Sequence, residues 1–256
     1  VTAISLRERL AQPEPFYFGW CSLPGVLHAE AMAALPFEGV CIDMQHGLVG
    51  FSDVVAMVPA FNGKGKFSIV RVLNNDAALI GQALDTGAHM VIVPMVNTAD
   101  DARRMLAAAK YPPRGSRSWG SYALSQHGGM GKERFLKEAN GLTMAIAMIE
   151  TQEALDNVEA ICAVEGLDGV FVGPNDLTIS ISKGTRIDPT HAESQKAFAR
   201  VARAAAKHGL PTGIFGGSPA FVKGAVAMGF KFICSNPDTT LMHDGAKAFL
   251  AAVAAE

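Results

Sequence analysis

The chain has 256 residues, 49% of them apolar and 18% charged, with a formal net charge of -2. That length holds one large α/β domain or two small ones with a sizeable core, and the balance carries no signature of disorder, nucleic-acid binding or attachment to a membrane surface. No run approaches a membrane span, the first residues carry no basic-then-apolar leader, and Cys21, Cys41, Cys162 and Cys234 lie scattered in apolar runs as reduced thiols rather than zinc pairs, so a cytoplasmic protein is expected.

From the N-terminus, apolar runs suited to strands alternate with stretches suited to helices. The strands read as 16–23, 39–43, 67–73, 90–96, 143–149, 167–173, 210–216 and 230–235. Helical stretches at 26–35, 51–61, 76–86, 99–109, 152–164, 192–208 and 219–228 lie between them, and an alanine-rich helix closes the chain from about 241 to 255. Gly87 and Gly209 follow helices, while Thr98 and Ser218 precede them as N-caps. Eight alternating units in about 250 residues predict a (β/α)₈ TIM barrel with a parallel sheet, a single domain over residues 1–256. A doubly wound open sheet is the rival, but the turn after Leu23 carries only Gly25 where a glycine-rich phosphate turn is expected. One stretch breaks the rhythm. Residues 111–142, rich in glycine and serine through Met130 and followed by a short helix at 132–139, read as a lid or an intersubunit arm.

In a barrel, catalytic groups gather at the C-terminal ends of the strands. There Trp20 ends the first strand, Asp43-Met44-Gln45-His46-Gly47 follows the second, and Arg71 lies on the third. Glu150 ends the fifth, Gly173-Pro174-Asn175-Asp176 follows the sixth, and Ser235-Asn236 ends the eighth. Glu150 and Asp176 offer hard oxygen ligands for Mg²⁺, Mn²⁺ or a similar divalent ion, although a carboxylate after a strand also commonly caps the next helix or turn. Such an ion can chelate a 2-oxo acid and, as a Lewis acid, stabilise the enolate formed when an adjacent carbon–carbon bond breaks. Arg71 would supply permanent charge beside the enolate oxygen. Imidazole titrates near neutrality, so His46 would exchange a hydroxyl proton. The amides of Asn175 and Asp176, read as part of a turn, could receive the substrate carboxylate.

Other groups carry less. Lys66 and Lys231 lie at strand starts, so no lysine suits a Schiff base inside the barrel. His28, His191, His208 and His243 read as solvent-facing positions in or beside helices, and His89 starts a strand at the opposite face. His127, Arg114 and Arg117 in the long loop could reach a substrate tail or a neighbouring chain.

The series Ile42-Asp43-Met44-Gln45-His46-Gly47, Val70-Arg71-Val72, Val93-Pro94-Met95-Val96, Tyr111-Pro112-Pro113-Arg114-Gly115, Ile149-Glu150-Thr151 and Gly173-Pro174-Asn175-Asp176-Leu177 resembles the HpcH/HpaI aldolases, the metal-dependent class II pyruvate aldolases. The resemblance implies a divalent metal on Glu150 and Asp176, His46 as acid/base and Arg71 at the oxo group, with Asp85 as the histidine's partner. It assigns Trp20, Asp43, Gln45, Arg71, Gly173, Pro174 and Asn175 to substrate binding. It further implies homo-hexamers, dimers of trimers that exchange the last helix at 241–256, acting on a small 2-oxo acid and an aldehyde. Gln45 replaces the family's usual glutamate, and Met148 stands where some members have glutamine, which leaves the donor open between pyruvate and a relative such as hydroxypyruvate. Lyases of malyl- or citryl-coenzyme A share the fold, but no basic groove for a nucleotide is evident. A non-catalytic barrel would have lost rim groups, all of which are present.

Overall fold

The computed structural model describes residues 4–120, 122–126 and 129–254. A short helix α1 (Leu6–Leu10) precedes the first unit, β1 (Phe16–Cys21) and α2 (Val26–Ala33). β2 (Gly39–Asp43), α3 (Phe51–Gly63), β3 (Phe67–Arg71), α4 (Ala77–Asp85), β4 (Met90–Val93) and α5 (Ala99–Ala109) follow. The next stretch holds α6 (Ala123–Gln126) and α7 (Lys132–Leu142) before β5 (Met144–Ile149). Then come α8 (Gln152–Asp156), α9 (Val158–Cys162), β6 (Val170–Val172), α10 (Pro174–Ile181) and α11 (Ala192–Lys207). The chain closes with β7 (Thr212–Ile214), α12 (Pro219–Ala227), β8 (Phe232–Pro237) and α13 (Asp238–Ala254).

The eight strands pair in chain order, all parallel, and β8 returns to β1 to close the barrel. The expected (β/α)₈ architecture is therefore the observed one. Both strand faces are buried, which is why these strands read as continuous apolar runs instead of alternating ones. One set of side chains fills the interior with Phe16, Phe18, Phe67, Ile69, Ile92, Ile146, Met148, Phe171 and Phe232, while the other packs outward against the helices. Side chains alternate with period two along a strand, so the interior set continues upward from Phe18 to Trp20, from Cys41 to Asp43, from Ile69 to Arg71 and from Met148 to Glu150. The rule that fills the core thus also aims the polar groups at one rim.

The opposite face is built for stability. Asp168 pairs with buried Lys110 at 2.7 Å, receives Arg7 and accepts the Ala145 amide, while Lys66 and Lys231 donate to backbone carbonyls before the strands. Thr98 and Ser218 cap their helices as expected, and Gly87 and Gly209 take positive φ after theirs.

Several boundaries differ. The helix expected over 152–164 is two short ones broken at Asn157, whose side chain turns away to bond the Asn97 carbonyl. The residues around Asp176 form the first turn of α10 rather than a simple turn, because proline at the first helical position supplies the right φ and lacks only an amide that would have no partner. The 111–142 stretch packs on itself through Tyr111, Ala123, Phe135 and Ala139. His127 lies outside the described residues. All four cysteines are free and buried. Among the described residues no helix is long and apolar enough to cross a membrane.

Candidate active site

Asp43 organises the rim. Its carboxylate accepts Nε and Nη2 of Arg71 at 2.8 and 2.7 Å, the Trp20 indole N–H at 3.2 Å, and the amides of Gln45 and His46 at 3.1 and 3.3 Å. Its lone pairs are thereby taken, so Asp43 holds other groups in place instead of meeting a substrate directly. Arg71 lies over the Trp20 ring at 4.8 Å, and Phe215 packs edge-on against the same indole at 4.9 Å. With one N–H of Nε and one of Nη2 on Asp43, Arg71 still has the two N–H groups of Nη1 and the second of Nη2 to offer. Burial pushes Asp43's carboxyl up, but the Arg71 guanidinium, the His46 amide and the Trp20 N–H outweigh it and hold the group below its ordinary value. The same amide contacts shape the β2–α3 loop, which leaves His46 exposed and Gln45 half-buried with its side-chain oxygen lacking a donor.

Glu150 is buried at the end of β5. Thr151, not Glu150, caps α8 by accepting the Ala154 amide, and the cap position of α10 is Gly173, not Asp176. Capping therefore explains neither carboxylate. Glu150 Oε1 accepts the Met95 amide at 2.7 Å. Met95 adopts a φ of 56°, a left-handed conformation that is strained for a side-chain-bearing residue and that persists here where its amide meets the carboxylate. Burial pushes Glu150's carboxyl up and Asp176's charge adds to this, against the lowering effects of the Met95 amide and Arg71. The net result is a carboxyl above its ordinary range, a site where a cation would relieve an uncompensated charge.

Gly173 gives that carboxylate room. A Cβ there would lie 2.6 Å from Met148 Cε, 3.0 Å from Glu150 Oε2 and 3.1 Å from Glu150 Cβ. Gly173→Ala should keep the fold because Met148 can move, at a cost of about 1–3 kcal/mol from overpacking. It should also displace Oε2 and weaken manganese binding measured by titration calorimetry; unchanged affinity would show that Gly173 does not shape this donor pair.

Beside the rim, the start of α10, the segment after β7 and the end of β8 border a cavity of about 380 Å³ lined by Pro174, Asn175, Phe215, Gly216, Ser218 and Asn236, among others, with no charged residue in its wall. Asn175 and Asp176 are exposed at the start of α10, where helical amides lack intrahelical partners. Asp85 and Arg117 stand apart. Asp85 ends α4, which runs antiparallel to the strands, so it sits at the face opposite His46, and its carboxylate pairs with Arg117 at 2.6 Å. Arg117 is buried and lies over Tyr111, so it is spent on anchoring the long loop. Met95 and Phe215 were not legible beforehand: no residue pattern marks a left-handed methionine, and Phe215 follows a strand without any polar signal.

A family model described as HpcH/HpaI aldolase/citrate lyase matches residues 20–243. The chain belongs to this family. As an HpcH/HpaI aldolase it is a carbon–carbon lyase. It is 40% identical over 237 residues to a hydroxypyruvate/pyruvate aldolase of Rhizorhabdus wittichii, covering 93% of each chain. It is 35% identical to a 4-hydroxy-2-oxo-heptane-1,7-dioate aldolase of Salmonella heidelberg, over 98% of this chain and 95% of the relative. Its barrel superimposes on a family member from Burkholderia cenocepacia with a TM-score of 0.88 at 30% identity, covering 97% and 98% of the two chains.

Proposed function

We propose that this aldolase reversibly cleaves 4-hydroxy-2-oxo acids to an aldehyde and either pyruvate or hydroxypyruvate. The observation that carries the reading is Glu150, buried with its ionisation opposed, beside Asp176 and with its Oε2 given room by Gly173. Two carboxylates in that state fit a hard divalent ion such as Mg²⁺ or Mn²⁺. Bound there, the ion would supply Lewis acidity to the oxygens of the 2-oxo acid.

The chain's own groups do the rest. The free amides of Asn175 and Asp176 at the start of α10 receive the substrate carboxylate. His46 takes the proton of the 4-hydroxyl as the C3–C4 bond breaks, so that C4 and its oxygen become the aldehyde carbonyl. The C3–C4 electron pair moves into the 2-oxo fragment, whose growing oxygen charge faces Arg71 Nη1, and C3 is then protonated. In the addition direction the same protons run backwards. Gln45 Oε1, buried without a donor, would accept the extra hydroxyl of hydroxypyruvate once its side chain turns toward the substrate. The uncharged cavity wall suits a neutral, hydroxylated aldehyde better than one that ends in a carboxylate.

Assembly follows from α13. Only Asp238 of this helix is buried, while Met242, Phe249, Leu250 and Val253 are each more than half exposed. An apolar helix face of this kind calls for cover by another chain, and exchange of α13 in a hexamer built as a dimer of trimers supplies it. Asp85 would reach a histidine only across such a boundary. Free, buried thiols suit a reducing, cytoplasmic setting.

The test is a chelator-treated preparation assayed with pyruvate and hydroxypyruvate against an aldehyde panel, with one metal restored at a time. Activity should vanish on chelation and return with Mg²⁺ or Mn²⁺, with glycolaldehyde preferred to succinic semialdehyde. Activity indifferent to metal would refute the mechanism, and a preference for the carboxylated aldehyde would refute the assignment of the cavity.

A further inference from the structure

Cys21 follows Trp20 on β1 and therefore points to the other side of the barrel wall, into the layer between strands and helices. There it meets His28 from α2 and Asp238 from the start of α13. Asp238 Oδ2 accepts the amides of Ser22 and Leu23 at 2.9 and 3.0 Å and lies 2.7 Å from His28 Nε2, while Oδ1 takes the Thr239 amide at 2.8 Å. One ligand atom from each of Cys21, His28 and Asp238 lies within 4.8 Å of the other two. His28 is thus not the free surface position that the sequence suggested. The trio has a sulfur, a nitrogen and an oxygen donor, unlike the all-oxygen pair at the rim. Cys21 and Asp238 are buried, whereas the His28 side chain keeps 20% of its surface open, so an ion has a way in.

We propose that Cys21, His28 and Asp238 form a second cation site, selective for zinc and separate from the rim. Mixed sulfur, nitrogen and oxygen donors suit zinc, which takes three protein ligands and an open position for water, whereas magnesium and manganese favour oxygen. Tetrahedral zinc at ordinary bond lengths needs these atoms about 3.4–3.6 Å apart. The His28–Asp238 pair, at 2.7 Å, must therefore open from hydrogen-bond distance by somewhat under an ångström. On binding, the thiol proton leaves to solvent, and neutral imidazole keeps its single proton on Nδ1, so that Nε2 offers its lone pair. Asp238 keeps its backbone donors throughout. The ion would join three segments, the end of β1, α2 and the root of α13, beside the strand pair that closes the barrel. Its consequence is mechanical: zinc should hold α13 to the barrel wall without taking part in the chemistry at the rim.

The experiment uses the full chain carrying Glu150→Gln and Asp176→Asn, which silences the rim pair and isolates the second site. After chelator treatment, zinc is titrated in competition with a chromophoric chelator, and cobalt is added separately to look for a thiolate-to-cobalt charge-transfer band. The expected result is one zinc per chain, resistant to excess magnesium, a cobalt band, and a higher melting temperature with zinc. Cys21→Ser should remove the band, and both Cys21→Ser and His28→Gln should weaken zinc binding at least about tenfold, with folding checked by circular dichroism. No zinc binding in the silenced chain, displacement of zinc by magnesium, or unchanged affinity in both variants would overturn the proposal. Loss of aldolase activity plays no part in this readout, so it stands or falls apart from the function proposed above.

Discussion

Asp43→Asn is expected to destabilise the protein by about 3–5 kcal/mol, the penalty for leaving a buried guanidinium without its carboxylate. Arg71 and Asp43 are both almost fully enclosed, so water cannot replace the lost partner. The same substitution should lower kcat/KM by roughly a hundredfold, because Arg71, Trp20 and the His46 loop all take their positions from that carboxylate. The pH dependence has a definite sign. Asp43's carboxyl is held below its ordinary value in the folded protein, so its contribution is fully present above the ordinary aspartate range and is lost as pH falls through the lowered value. Urea denaturation should therefore show a gap between parent and variant at neutral pH that narrows in strong acid. A variant as stable as the parent at neutral pH would show that Asp43 does not hold the rim together.

Glu150→Gln should separate stability from activity. Kinetics with saturating manganese should fall about a thousandfold, the scale of several kcal/mol of Lewis-acid stabilisation. In metal-free protein the variant should melt at a higher temperature than the parent, since glutamine can still accept the Met95 amide and carries no buried charge. Glu150's folded value is raised, so its burial is best tolerated at low pH and becomes costly as pH rises through that raised value. The advantage of the variant should accordingly appear at neutral pH and fade on acidification. Metal-free parent and variant melting together at neutral pH would show that Glu150 carries no such penalty.

Most of the barrel was legible in the sequence for one reason: parallel strands buried on both faces are apolar throughout, and a charge is tolerated only where the strand ends. Glu150, Arg71 and Asp43 could be placed on one rim because each lies at or near the C-terminal end of such an apolar run, and the fold adds that each continues an interior row two positions earlier. What escaped depends on geometry with no sequence signature. Gly173-Pro174 reads as punctuation, yet it begins α10 and turns the expected turn into a helix start. Ser5 and Glu8 form a capping box for α1, but five helical residues leave no periodicity to recognise. Asp85 and Arg117, like His28 and Asp238, are pairs whose members are far apart in the chain, so each member looks like an ordinary surface group until the fold brings them together.

The seam between β1 and β8 also sets an order of events. Ser22 and Asp238, 216 positions apart, meet across it, as do Phe16 and Phe232. A nascent chain can assemble β1 to β3, with Trp20, Asp43 and Arg71 already joined, long before the last strand exists. The ring itself closes only when nearly the whole chain has been made, and closure of so long a loop is slow because its entropy must be surrendered before the contacts return it. Until then the unpaired edges of the first and latest strands lie open to neighbours. The half-built barrel is thus the stage most exposed to misassembly, and β8, the last strand to arrive, protects the protein as much as it completes it.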